Sequence, residues 1–115
     1  MLLVQSAAAA PWPGWRGADG CGVSTEKDLP LNWSAASGVK WKVALPQPGN
    51  STPVVWGDRL YHGNQGSDCF VPSASPGFEV LAHNPLNDGL TNASPAISDG
   101  NVFIRTHAHL WCIGK

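Results

Sequence analysis

Residues 50–61 and 92–103 are two copies of one pattern, and this repeat narrows the choice of fold more than any other feature of the sequence. The stretch Asn50-Ser-Thr-Pro-Val-Val-Trp-Gly-Asp-Arg-Leu-Tyr61 aligns without a gap on Asn92-Ala-Ser-Pro-Ala-Ile-Ser-Asp-Gly-Asn-Val-Phe103, at a spacing of 42 residues. Asn50 matches Asn92 and Pro53 matches Pro95, while Thr52 meets Ser94, Val55 meets Ile97, Leu60 meets Val102 and Tyr61 meets Phe103. One inserted residue carries the match on to Cys69 and Cys112, 43 positions apart.

Each copy reads as a hairpin. Proline opens a strand, where its missing N–H does least harm. A short apolar strand follows, Val54-Val55 or Ala96-Ile97. Gly57-Asp58 or Asp99-Gly100 then supplies a turn that tolerates positive φ, and the chain returns on Leu60–His62 or Val102–Ile104. Further strands are expected around Asp68–Val71 and Leu110–Ile113. Val39-Lys-Trp-Lys-Val-Ala-Leu45 alternates with period two and is expected to be a strand upstream of the first copy, a part that Phe78-Glu-Val-Leu-Ala82 plays for the second. That makes about eight short strands. A period in the low forties is the spacing of four-stranded propeller blades. The predicted fold is therefore all-β: about two four-stranded antiparallel blades (39–71 and 78–115) of a β-propeller, not a closed ring. Composition agrees, since 13 Gly, 10 Pro and 6 Trp with only 13% charged residues suit strands and turns better than helices.

The seven basic residues are scattered and the net charge is −1. Nucleic acid needs clustered Lys and Arg, so it is not expected as a partner. No stretch is long and apolar enough for a membrane span. Residues 1–10, Met1-Leu-Leu-Val-Gln-Ser-Ala-Ala-Ala-Ala10, resemble the end of a secretory signal without its positive start. The expected location is therefore periplasmic or secreted, and 11–38 is expected to be an N-terminal strap or loop. Cys69 and Cys112 fall in the same slot of successive units. Such points lie about a sheet-packing distance of ~10 Å apart, beyond disulfide reach of about 7 Å. Both are expected to be small core residues, and Cys21 a free thiol in a loop.

The opening Trp12-Pro-Gly-Trp-Arg-Gly-Ala-Asp-Gly-Cys-Gly-Val-Ser24, followed by Leu29-Pro30 and Trp33, resembles the start of the bacterial secreted PQQ-like (quinoprotein-type) β-propeller repeat proteins. Thr91–Gly100 and Phe103-Ile-Arg-Thr106 with His109-Leu-Trp-Cys-Ile-Gly114 resemble that family's last blade. Family members are several times longer, and here the opening motif meets the closing one between about Leu60 and Ser75. The resemblance thus implies an internally shortened member that keeps its first and last blade motifs. It implies an extracytoplasmic repeat protein with a non-catalytic binding or scaffold role. Two alternatives share the resemblance: a remnant of a PQQ-dependent dehydrogenase, and an outer-membrane assembly factor. The dehydrogenase would hold its quinone between an indole and a vicinal disulfide, with calcium beside it, and this sequence has no adjacent cysteines.

The residues themselves offer limited chemistry. His107 and His109 would share a face of a strand and could begin a metal site with His62, His83 or Asp68; the competing reading is a solvent-facing pair packed on Trp111. Asn64–Phe70 could hold a cation through Asp68, but reads better as an ordinary turn. Ser24, Ser51 and Ser94 lack a nucleophile elbow. Glu26 with Asp28, and Glu79 with Asp88, have no fixed separation. Trp41 and Trp111 read as wedges between blades, and Trp12, Trp15 and Trp33 as strap packing. Asn32, Asn50 and Asn92 head glycosylation-type triplets, two of them inside the hairpin repeat. No catalytic, cofactor-binding or metal-binding residue is assigned. A protein or glycan partner is expected, or self-association through open blade faces, because two blades leave sheet faces uncovered.

Overall fold

The computed structural model describes residues 10–74 and 79–115. Among these residues there are seven strands and no helix, in two antiparallel sheets that do not close into a ring. Sheet one runs in the order β1 (Val54–Trp56), β2 (Arg59–Gly63), β3 (Asp68–Pro72), β4 (Val80–Pro85). Sheet two runs β5 (Ala96–Ser98), β6 (Asn101–Arg105), β7 (Leu110–Ile113). The signal-like residues 1–9 lie outside the described residues.

The sequence repeat is a repeat of pairing. Val54 faces Tyr61, Val55 faces Leu60 and Trp56 faces Arg59; Ala96, Ile97 and Ser98 face Phe103, Val102 and Asn101 in the same register. The two turns reach this register differently. Gly57 alone takes positive φ (63°) in the first, the pattern of a type II′ turn, whereas Asp99 (48°) and Gly100 (72°) both do so in the second, the pattern of type I′. Both turn types carry the twist that antiparallel strands need.

Three expectations are corrected. First, Val39–Leu45 enters no ladder among the described residues. Alternation forms a strand only beside a free sheet edge; here the segment lies across the face of sheet one, with Trp41, Val43 and Leu45 beside Leu60 and Phe70. Sheet two has three strands rather than four because the strand expected ahead of its hairpin joins sheet one instead. Second, the strand expected at Phe78–Ala82 runs later, over Val80–Pro85, and joins sheet one by pairing with β3; Phe78 lies outside the described residues. Third, Cys69 and Cys112 are not structural equivalents. His62 pairs with Phe70 and Ile104 with Trp111, so the third strands correspond at a spacing of 41 and the Cys69 slot is filled by Leu110. The β6–β7 turn is one residue shorter than the β2–β3 turn, not longer. Cys69 is buried, but Cys112 sits exposed on the edge strand. All three cysteines are free, and burial pushes the Cys69 thiol up to about 11.

The sheets stack in one sense. Call the side of sheet one bearing Leu60, His62 and Phe70 its front, and the side bearing Tyr61, Cys69 and Val71 its back. The counterparts of the front residues in sheet two are Val102, Ile104 and Trp111, and these pack on the back of sheet one around a cavity of about 320 Å³. Front meets back, as in any stack of translated repeats. Equivalent points touch along the seam: Ser94 Oγ accepts from Thr52 N–H (2.8 Å), and Asn50 Nδ2 donates to Asn92 Oδ1 (3.4 Å), each pair 42 residues apart. The strap closes the inner edge. Trp12 exchanges two backbone hydrogen bonds with Val55 (2.8 and 3.0 Å), and Pro13 O accepts from Ile97 N–H at 2.8 Å. Val55 and Ile97 are the same position of the repeat.

The core is small: Val54, Cys69, Phe70, Ile97 and Ile104, with Asn64, Ser67, Thr91 and Thr106 as buried polar residues. Each polar member has work for its side chain. Asn64 Oδ1 accepts from Asp68 N–H, and Ser67 Oγ accepts from Asp88 N–H. Thr91 Oγ1 donates to Arg105 O, and Thr106 Oγ1 accepts from His109 N–H. Trp111 packs between the sheets as expected, whereas Trp15 and Trp33 stay 70% and 69% exposed.

Candidate functional site

Two constellations stand out, and neither is a set named from the sequence. The first centres on Asp88, in the connection between β4 and β5. Its carboxylate accepts from Thr106 Oγ1, from Trp111 Nε1 at 2.9 Å and from His109 Nδ1 at 2.9 Å. The Thr106 hydroxyl first, then the Trp111 indole, hold this carboxyl below its usual value, with His109 adding to them against partial desolvation. Asp88 thereby pins the β6–β7 turn to the loop that links the sheets.

That arrangement disposes of the histidine pair as a shared face. Both His107 and His109 precede β7, in the turn, so the two-residue alternation of a strand does not apply to them. His109 goes to Asp88, while His107 offers its backbone N–H to Leu90 O at 2.8 Å. His83 stacks on Phe70 (4.6 Å between centroids) and meets Asp68 Oδ2 at 3.4 Å. The Asn64–Phe70 segment is a capped turn, with Asn64 Nδ2 donating to Asp68 Oδ2. Among the described residues, no three His, Cys, Asp or Glu side chains converge as a metal site would require.

The second constellation is an apolar cleft of about 290 Å³ on the front of sheet one. Its floor is Leu60, His62 and Phe70, and its rim is Trp41, Val43 and Leu45 from the overlying segment. His62 is its polar anchor. Ser51 Oγ donates to Gly63 O (2.8 Å) and accepts from Gly63 N–H (2.8 Å), and it lies 3.3 Å from His62 Nδ1. The serine hydrogen is committed to a carbonyl, so Nδ1 is the donor in the contact with Ser51 and Nε2 carries the free lone pair. His62 Nε2 is buried with no hydrogen-bond partner. Burial holds this imidazole below its ordinary value, against the opposing Ser51 contact, so it stays neutral.

The same geometry separates Ser51 from nucleophilic chemistry, because its proton points at Gly63 O and not at the imidazole. Ser94 Oγ is taken by Thr52 N–H and Ser24 Oγ by Glu26 N–H. What the cleft offers is apolar surface, with His62 in its lining and the unpaired Nε2 covered by the fold. Sequence reasoning named His62 only as a possible third ligand to the His107–His109 pair and Asp88 only as half of a carboxylate pair with Glu79, and it missed the role each has here. A signal for the first was present: the repeat sets His62 against Ile104, placing an imidazole where the other unit has an aliphatic side chain. Asp88 had no such signal, because its partners lie 18 to 23 residues further along the chain. No helix among the described residues is long and apolar enough to cross a membrane. Comparison with protein-family profiles, curated proteins and solved structures found no match to this chain.

Proposed function

We propose that this chain is an extracytoplasmic repeat protein of the PQQ-like β-propeller type with a non-catalytic binding or scaffold role, and that it binds through the front of sheet one. The observation that carries this reading is the cleft there. Its walls are apolar side chains, Trp41, Val43, Leu45, Leu60 and Phe70, around His62, and a concave, mostly apolar lining of this kind is the make-up of a recognition surface. The equal hairpin registers and the front-to-back stacking support the blade assignment, since translated units are how propeller and solenoid proteins bury their sheets. The export-like start supports the location.

The surface is tested with anilinonaphthalene sulfonate, a fluorescent apolar probe. The full chain is expected to enhance its fluorescence, and Leu60→Lys, which sets a charge on the cleft floor, to remove most of the enhancement while leaving the far-ultraviolet spectrum unchanged. Equal enhancement by both proteins would overturn the site. Location is tested by fractionating bacteria that express the chain; retention in the cytoplasm would count against an extracytoplasmic role.

A further inference from the structure

We propose that the occupant of the front cleft is a second copy of this chain, which takes residues 39–45 as the missing fourth strand of its sheet two. The proposal names the partner of the front-face site and rests on that site being a binding surface. Its argument is the repeat.

In sheet one, the outer edge of β3 is covered by β4. In sheet two, β7 corresponds to β3, and no strand of the described residues covers its outer edge. Setting Trp41-Lys-Val-Ala-Leu45 against Phe78-Glu-Val-Leu-Ala82 by sequence places Val43–Leu45 on the first half of β4, Val80–Ala82. The Trp41–Leu45 segment alternates as a strand does and yet enters no ladder among the described residues. The described residues thus hold a sheet edge without an outer strand, that of β7, and a strand-patterned segment outside both sheets. Leu110 (73% exposed) and Cys112 leave that edge open to solvent, and an open edge is a template for strand addition.

The register follows from β3 and β4. Val71 pairs with Ala82, and Pro72 pairs with Val80 across a bulge. With Val71 set against Cys112 at a spacing of 41 and Ala82 against Leu45 at a spacing of 37, Leu45 of one copy faces Cys112 of the next, and Val43 faces Ile113. Drawing the segment off the front of sheet one uncovers Leu60, His62 and Phe70. The same movement brings that front against the back of the neighbour's sheet two, which bears Phe103 and Arg105. Front meets back again, as between the two sheets of one chain. Arg105 is exposed and brings N–H donors to the face that meets His62 Nε2. The contact is head-to-tail, so it propagates copy to copy until a ring closes.

The test uses thiol trapping in the full chain. Cys21→Ser/Leu45→Cys keeps Cys112 as the reporter, and buried Cys69, with its thiol pushed up to about 11, stays protonated and unreactive. Under mild oxidation this variant is expected to give disulfide-linked dimers at least about tenfold faster than a Cys21→Ser/Trp33→Cys control, because docking raises the local thiol concentration. Peptide mapping is expected to join the introduced thiol to Cys112 across two chains. Adding Val43→Pro, which removes a ladder donor, is expected to return the rate to the control level. Equal rates, or a link within one chain, would overturn the proposal. Sedimentation of the unaltered chain gives a second measure: average mass is expected to rise above 12.1 kDa with concentration, and a constant monomer mass would overturn it. If Leu60→Lys abolishes probe binding but no cross-link forms, the binding surface stands and the second copy falls. If trapping succeeds where the probe fails, the partner stands and the small-molecule-like cleft falls.

Discussion

His62 and Asp88 are both tuned by their surroundings, and acid acts on them in separate windows. Asp88 is held below its usual 3.8, so the stability it contributes is present above that value and is lost as pH falls through the depressed one. His62 is held below 6.5. As the solution is acidified through 6.5, the unfolded chain takes up a proton that the folded imidazole refuses, and stability falls until the depressed folded value is passed. Denaturant titrations on either side of pH 6.5 are expected to show this loss, and His62→Phe to flatten it. An unchanged slope would remove His62 as its source. Neither residue's role was open to sequence reasoning in full. The contrast with Ile104 flags His62, but its lone pair is known only once Ser51 is seen donating to Gly63 O.

At the scale of elements, the hairpins were legible and the outer strands were not. Proline, paired apolar residues and an Asp-Gly or Gly-Asp turn act within a dozen residues, so local sequence decides their pairing. Gly100→Ala is expected to destabilise by about 1 kcal/mol, because its φ of 72° costs any residue with a Cβ about that much. Ser98→Ala, in the same hairpin with its side chain exposed, is expected to be near neutral. Thermal melts of the two variants check the difference. The outer strands depend on something nonlocal, namely which edge is free. Val39–Leu45 has the alternation of a strand and β4 has much the same, but only β4 lies beside an open edge, that of β3. Likewise the Cys69–Cys112 alignment followed residue identity, whereas pairing followed the length of the β6–β7 turn.

For the whole molecule, the sense of stacking matters more than the number of strands. Two sheets facing the same way bury one interface and leave one front and one back, so the exposed apolar surface is a consequence of the repeat itself. The all-β class and the absence of a closed ring could be read from a period in the low forties and from the count of units. The direction in which the sheets lean on each other could not, because both faces of each strand carry apolar residues, such as Leu60 and Tyr61 or Val102 and Phe103. The strap holds this arrangement together through Val55 and Ile97. Trp12→Pro removes the donor to Val55 O, and amide exchange at Val55 and Ile97 is expected to accelerate together while the β2–β3 amides keep their protection. Acceleration at Val55 alone would show that the sheets are joined by other means.

The bond from Ile97 N–H to Pro13 O also has a consequence in time. It spans most of the described chain, so closing it must wait for both hairpins to exist, and such distant closures form late because they carry the largest loop entropy. The segment that leaves the ribosome earlier than either hairpin is therefore the latch that shuts last, and until then the nascent protein is two loosely tethered ribbons whose edges are free to find strands other than their own.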